Sequence, residues 1–227
     1  MIKLPIAGSS KVITIAPSKI VAVGLNYREH VKESAASLPA EPVLFSKTPN
    51  SLIGPGEKIV LPGFIKDYHF PNPRIDLEAE LAVVIGKRGR HVPVEKALDH
   101  VLGYTCFNDV SQRNIQSGDP SGWFRGKSLD TFGPIGPVIV PQGALNHQEL
   151  NIASRINGET KQSANTRDMI FSVAALIAFI TKCFTLEEGD IIATGTPSGV
   201  SPIKHGDTVE IEIEGIGILE NPVVDEA

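Results

Sequence analysis

Cysteine is scarce: Cys106 and Cys183 are the only two in 227 residues. Two thiols so far apart build neither a disulfide framework nor a thiolate metal site, and they fit a reducing compartment, so a cytoplasmic location is expected. An excess of positive charge is also missing. The 21 Lys and Arg against 26 Asp and Glu leave a formal charge of −5, and Lys87, Arg88 and Arg90 form the one close basic group. The electrostatic footprint of a nucleic-acid-binding protein is therefore absent. No apolar run is long enough for a bilayer. The most apolar window, 171–180, has about half the length a spanning helix needs and reads as a buried helix. The opening Met1-Ile-Lys-Leu-Pro lacks the apolar stretch and small-residue cleavage site of a secretory signal. With no repeat, low-complexity stretch or linker, the expected organisation is one domain over 1–227.

Glycine (21) and proline (17), by contrast, are plentiful, and they cut the chain into short strands and turns. Alternation and breakers place strands at 19–24, 43–47, 59–61, 77–85, 101–108, 136–140, 151–156, 190–194 and 208–213. Helices are expected at 27–37, at 94–100 behind Pro93, at 111–116 and at 169–184. Strands and helices do not alternate regularly, so the fold class is α+β, mainly β, with an antiparallel or mixed sheet and few short helices.

The segment Asp76-Leu-Glu-Ala-Glu-Leu-Ala-Val-Val-Ile85 carries the clearest chemistry. A strand period of two puts Leu77, Ala79, Leu81, Val83 and Ile85 on one face, and Asp76, Glu78, Glu80, Ala82 and Val84 on the other. A solvated acidic face would not continue into Ala82 and Val84, so partial burial is expected. Two buried like charges repel unless a cation joins them, and carboxylate oxygens suit Mg²⁺, Mn²⁺ or Ca²⁺ better than zinc. Asp109, at the end of Tyr104-Thr-Cys-Phe-Asn-Asp109, is the best third ligand, although Asn108 or Asp109 could equally cap the helix that follows. Asp109, Arg113 and Gln116 are spaced to share a helical face, where they would receive an anion or form a surface network.

Several motifs then occur in fixed order from about Ile20 to the C-terminus: Gly24-Leu-Asn-Tyr-x-x-His30-x-x-Glu33, Glu78-x-Glu80, and Gly103-Tyr-Thr-x-x-Asn108-Asp109-Val-Ser-x-Arg113-x-x-Gln116. Gly126-Lys127-Ser128, Asn157-Gly158-Glu159, Met169-Ile-Phe-Ser172 and Glu188-Gly-Asp-Ile-Ile-x-Thr-Gly195-Thr-Pro-x-Gly199 follow. Together they resemble the fumarylacetoacetate hydrolase family in its short, single-domain form. The resemblance implies a mixed β-roll or sandwich, a homodimer, and Mg²⁺ or Mn²⁺ held by Glu78, Glu80 and Asp109. It further implies a short N-terminal segment over 1–18 and a lid over 27–41. The segment 63–74 is longer than the family's usual approach to the glutamates, and its aromatics would line the site or a dimer contact.

Under that resemblance the substrate is a small oxo-acid and the reaction is hydrolysis of a C–C bond in an acylpyruvate or related β-diketo acid, through a metal-bound enolate. His30, oriented by Glu33, would activate water, and Lys127 would meet the developing negative charge. Arg113, Gln116 and Thr196 would bind substrate, Thr196 in a carboxylate nest or in an ordinary turn. The same site would serve a decarboxylase of oxaloacetate-like acids or an isomerase of hydroxydienedioates from aromatic breakdown. A non-catalytic, metal-stabilised binding protein is the alternative of another class. His91, His100, His147 and His205 carry no motif and read as surface or capping residues.

Overall fold

The computed structural model describes residues 2–118, 120 and 123–226. The N-terminal strands are β1 (Ile2–Pro5), β2 (Val12–Ile15), β3 (Ile20–Gly24), β4 (Val43–Lys47), β5 (Leu52–Ile53) and β6 (Ile59–Leu61). The middle of the chain holds β7 (Ile75–Leu77), β8 (Ala79–Ile85), β9 (Val101–Asn108), β10 (Ser111–Gln112) and β11 (Gly133–Pro141). The remainder adds β12 (Asn151–Ile156), β13 (Glu159–Asn165), β14 (Ile191–Ala193), β15 (Ser201–Pro202), β16 (Thr208–Ile213) and β17 (Gly217–Asp225). The described α-helices are short: α1 (Arg28–Glu33), α2 (Arg113–Gly118), α3 (Phe124–Lys127) and α4 (Val173–Cys183). None is long and apolar enough to cross a membrane.

The central sheet runs β4-β3-β14-β8-β9-β11-β5, and a five-stranded sheet, β13-β12-β16-β17-β6, packs on one of its faces. Both are mixed, with β3–β14, β11–β5 and β17–β6 parallel and the other pairs antiparallel. This is the mainly β, mixed architecture expected from the strand spacing. Strand β8 is buried along its whole length because its alternate side chains enter two different cores. Leu81, Val83 and Ile85 join the larger core with Ile211 and Ile213 of β16 and Leu176 and Ile180 of α4. Ala82 and Val84 join the smaller one, with Leu4 and Ile15 of the hairpin β1–β2. Helix α4 forms because Ser172 caps it, its Oγ accepting from Ala175 N (3.3 Å), and because Val173, Leu176, Ile177 and Ile180 make one apolar stripe.

Three expected elements differ in the structure, the first two for a local cause. The strand expected at 77–85 breaks at Glu78, whose N–H goes to the Asn108 side chain (3.0 Å) instead of a ladder partner. The part before the break, β7, turns away to pair with β10 and β15. The helix expected from 169 begins at Val173, because Asn26 holds the preceding segment extended through Phe171 N (2.8 Å) and Phe171 O (3.1 Å). The turn at 94–100 is a 3₁₀ helix.

Candidate metal centre

Cross-strand register brings the acids together. Ala79 pairs with Asn108 and Glu80 with Phe107. One step further Asp109 N donates to Glu78 O (2.9 Å). Glu78 and Asp109 therefore stand opposite each other, with Glu80 two residues along on the same face. One oxygen from each of the three lies within 4.8 Å of the others, and all three residues are buried. Asn108 and Asp109 do not cap α2. That role falls to Gln112, whose Oε1 accepts from Ile115 N (2.6 Å). The helical face expected for Asp109, Arg113 and Gln116 does not form either, since α2 begins only at Arg113.

Four cations surround the acids. Lys127, the last residue of α3, places Nζ 2.8 Å from Glu78 Oε2 and 2.7 Å from Asp109 Oδ2. Lys47, the last residue of β4 and fully buried, lies 2.7 Å from Asp109 Oδ1 and donates to the carbonyl of Lys127. Arg113 lies 2.6 Å from Glu78 Oε1 through Nη2 and 2.7 Å from Asp76 Oδ2 through Nε, while Nη1 donates to Gln116 Oε1 (3.0 Å). Arg74 Nε takes the other oxygen of Asp76 (2.7 Å).

These contacts separate the two glutamates electrostatically. Burial opposes ionisation of Glu78, but Lys127 and Arg113 outweigh it and hold the carboxyl down at about 2. Glu80 goes the other way: burial, then Asp109 and Glu78, push it well above the usual range, and the Gly195 N–H on Oε2 (2.8 Å) does not offset them. Burial works against the charge on Lys127, yet Asp109 and Glu78 raise it. For Lys47 burial wins and its value is lowered. Glu80 thus makes no ion pair with a described residue, in a cluster of hard oxygen donors. That donor set fits Mg²⁺, Mn²⁺ or Ca²⁺, whose charge would relieve the repulsion on Glu80.

A cavity of about 640 Å³ opens onto the acids. Glu78, Glu80, Lys127, Arg74, Arg113 and Gln116 line it with polar side chains, and Val23, Phe45 and Trp123 with apolar ones. Trp123 fits because residue 24 is glycine: a Cβ there would stand 2.6 Å from the indole ring. Helix α1 adds His30 and Glu33. Its Glu33 makes two contacts, Oε2 with His30 Nδ1 (2.9 Å) and Oε1 with Gly199 N (3.0 Å). The root of α1 is fixed by Asn26, whose Nδ2 also donates to Thr194 O (2.8 Å).

Every site residue expected from the sequence lines this cavity except Asp109, which sits behind it on Lys127 and Lys47. Thr196 differs in chemistry: its hydroxyl donates to Ala79 O (2.9 Å) and accepts from Gln162 Nε2 (2.8 Å), so it braces the wall. Of the segment 63–74, Arg74 alone reaches the cavity wall, while Phe64, Tyr68 and Phe70 pack on one another outside it. Lys47, Arg74 and Asp76 were not among the expected site residues. Lys47 shares a strand face with Phe45, the one signal that it turns inward.

The family described as Fumarylacetoacetate (FAA) hydrolase C-terminal matches residues 19–224. Human mitochondrial oxaloacetate tautomerase FAHD2A is 40% identical over 235 residues, covering 98% of this chain and 73% of its own. The crystal structure of 2-hydroxyhepta-2,4-diene-1,7-dioate isomerase from Mycobacterium marinum is 40% identical, with a TM-score of 0.84 over 96% of this chain and 82% of that one. Fumarylpyruvate hydrolase from Pseudomonas aeruginosa, in complex with Mn²⁺ and pyruvate, is 29% identical, with a TM-score of 0.88 over 99% of this chain and 96% of that one.

Proposed function

Because the chain belongs to the fumarylacetoacetate hydrolase family, whose members are enzymes, we propose that it is a divalent-metal-dependent enzyme that moves a proton on the carbon beside the oxo group of a 2-oxo acid. One observation carries this reading: a single cavity is lined by Glu78, Glu80 and Lys127, with Asp109 clustered behind them, and by the His30–Glu33 pair.

Glu78, Glu80 and Asp109 would hold Mg²⁺ or Mn²⁺, with Ca²⁺ as the third candidate. Such an ion supplies Lewis acidity to a chelating 2-oxo carboxylate. With Nδ1–H directed at Glu33, His30 has its lone pair on Nε2, and that nitrogen takes the proton from carbon and returns it elsewhere. Lys127 is held protonated between Glu78 and Asp109. Its charge would stand beside the oxygen on which negative charge develops. Arg113 and Gln116 bind the substrate carboxylate, and Thr196 keeps the wall in place.

Two relatives at 40% identity are a tautomerase and an isomerase, which favours proton transfer as the outcome. Hydrolysis of an acylpyruvate is the second reading, with the same base directing water at the oxo carbon. The match to fumarylpyruvate hydrolase over nearly the whole chain supports it. Oxaloacetate enol, a hydroxydienedioate and an acylpyruvate, followed by ultraviolet absorbance with Mg²⁺ or Mn²⁺, separate the two. Faster enol–keto conversion, abolished by EDTA and by His30→Ala, is the expected result. Turnover of none of them would leave a metal-stabilised binding protein. A cytoplasmic homodimer is the state we expect, and light scattering on the purified chain reads its mass.

A further inference from the structure

Arg74 carries an inference that rests on the reading above and narrows it. Its backbone is fixed on both sides, with N donating to Asn114 Oδ1 (2.8 Å) and O accepting from Arg113 N (2.9 Å). Its Nε holds Asp76 Oδ1 (2.7 Å), a carboxylate that Arg113 already neutralises from the other side. The side chain is still 48% exposed and stands in the cavity wall, and its terminal nitrogens have no partner among the described residues. A guanidinium serving only as a clamp for a buried aspartate would gain nothing from facing a cavity half open to water.

We infer that Arg74 recognises a second carboxylate at the far end of the substrate, and so selects dicarboxylic over monocarboxylic 2-oxo acids. Asp76 holds the guanidinium in a fixed plane, so the two terminal N–H groups can take a carboxylate in a bidentate pair.

The test compares ligands that differ only in the distal group: 2-oxoglutarate against 2-oxobutyrate, and 2-oxoadipate against 2-oxopentanoate. Calorimetry on the Mg²⁺-loaded full chain measures them, with oxalate as a reference that reaches the metal alone. The wild type should prefer the dicarboxylic member of at least one pair by roughly tenfold or more. Arg74→Gln should bring that ratio close to one, Arg74→Lys should keep part of it, and oxalate should change little in either. A ratio unchanged in Arg74→Gln would overturn the inference. So would oxalate weakening in proportion, which would mean that Arg74 acts only through Asp76. The melting temperature of each variant shows whether it is folded. If oxalate does not bind the wild type, the proposed function fails and Arg74 with it. If oxalate binds and no dicarboxylate is preferred, Arg74 alone fails.

Discussion

Lys127 competes with the cation for the same two acids. Its ammonium neutralises Glu78 and Asp109, the same acids that a divalent cation would bind. Removing it should therefore make the cluster more negative. Lys127→Met is expected to bind Mg²⁺ at least as tightly as the wild type, while turnover falls by about 10²–10³, the usual cost of losing one donor to a developing oxyanion. Calorimetry and steady-state kinetics on the same preparation check this pair of effects, and a parallel loss of both would make the lysine a structural strut. Glu33 also acts twice, on His30 and on Gly199. Glu33→Gln should lower kcat by roughly 10²-fold through the misoriented imidazole, within the range general bases contribute. A fall in substrate affinity alone would make the Gly199 contact the main role of Glu33 instead.

Gly199 sits where β13, the loop behind β14 and helix α1 meet. Its φ is +94°, and a Cβ would come within 2.2 Å of the Lys161 carbonyl. Gly199→Ala should therefore cost about 3 kcal/mol, from overpacking against backbone together with left-handed strain. Urea denaturation measures it, and a loss below about 0.5 kcal/mol, the range of an ordinary surface substitution, would show that the loop moves aside. At this scale the sequence was most readable where one element explains itself. The alternation in 76–85 put Glu78 and Glu80 on one face, and β9 ended at Asn108, as its pattern says. Asn157-Gly158, both with positive φ, form the turn of the hairpin β12–β13, whose second strand was not expected because Glu159–Asn165 lacks the apolar alternation that announces one. The long-range partner of Asp109 was not readable, because Lys47 comes from β4, far away in the chain, and no local pattern encodes that approach. His147 misled for the same reason. It carries no motif, yet it stacks on Tyr104 at 4.8 Å with its ring buried, and burial lowers its pKa.

For the molecule as a whole, stability should depend on acid and on the cation in separable ways. Asp190 ties the start of β3 to the turn before β14 through Lys19, Ser18 and Glu187 N. Burial would raise its carboxyl, but these partners outweigh burial and hold it below the usual range. Its contribution is therefore complete above the unfolded value of about 3.9 and is lost as pH falls through the lower folded value. Denaturation curves from about pH 5 down to pH 2 should fall less steeply in Asp190→Asn, and identical slopes would remove Asp190 from the acid limb. Mg²⁺ at about 100 times its Kd should add roughly 2.7 kcal/mol to the wild type and far less to Glu80→Gln. The two effects involve separate groups, so Asp190→Asn should keep the Mg²⁺ increment.

The most direct test is anomalous diffraction from crystals soaked in Mn²⁺, with data at the manganese edge. The account predicts one peak bonded to oxygens of Glu78, Glu80 and Asp109 at about 2.1–2.3 Å, with Lys127 displaced from at least one of its two acids. Lys127 still bridging Glu78 and Asp109, with no peak among the three carboxylates, would contradict it.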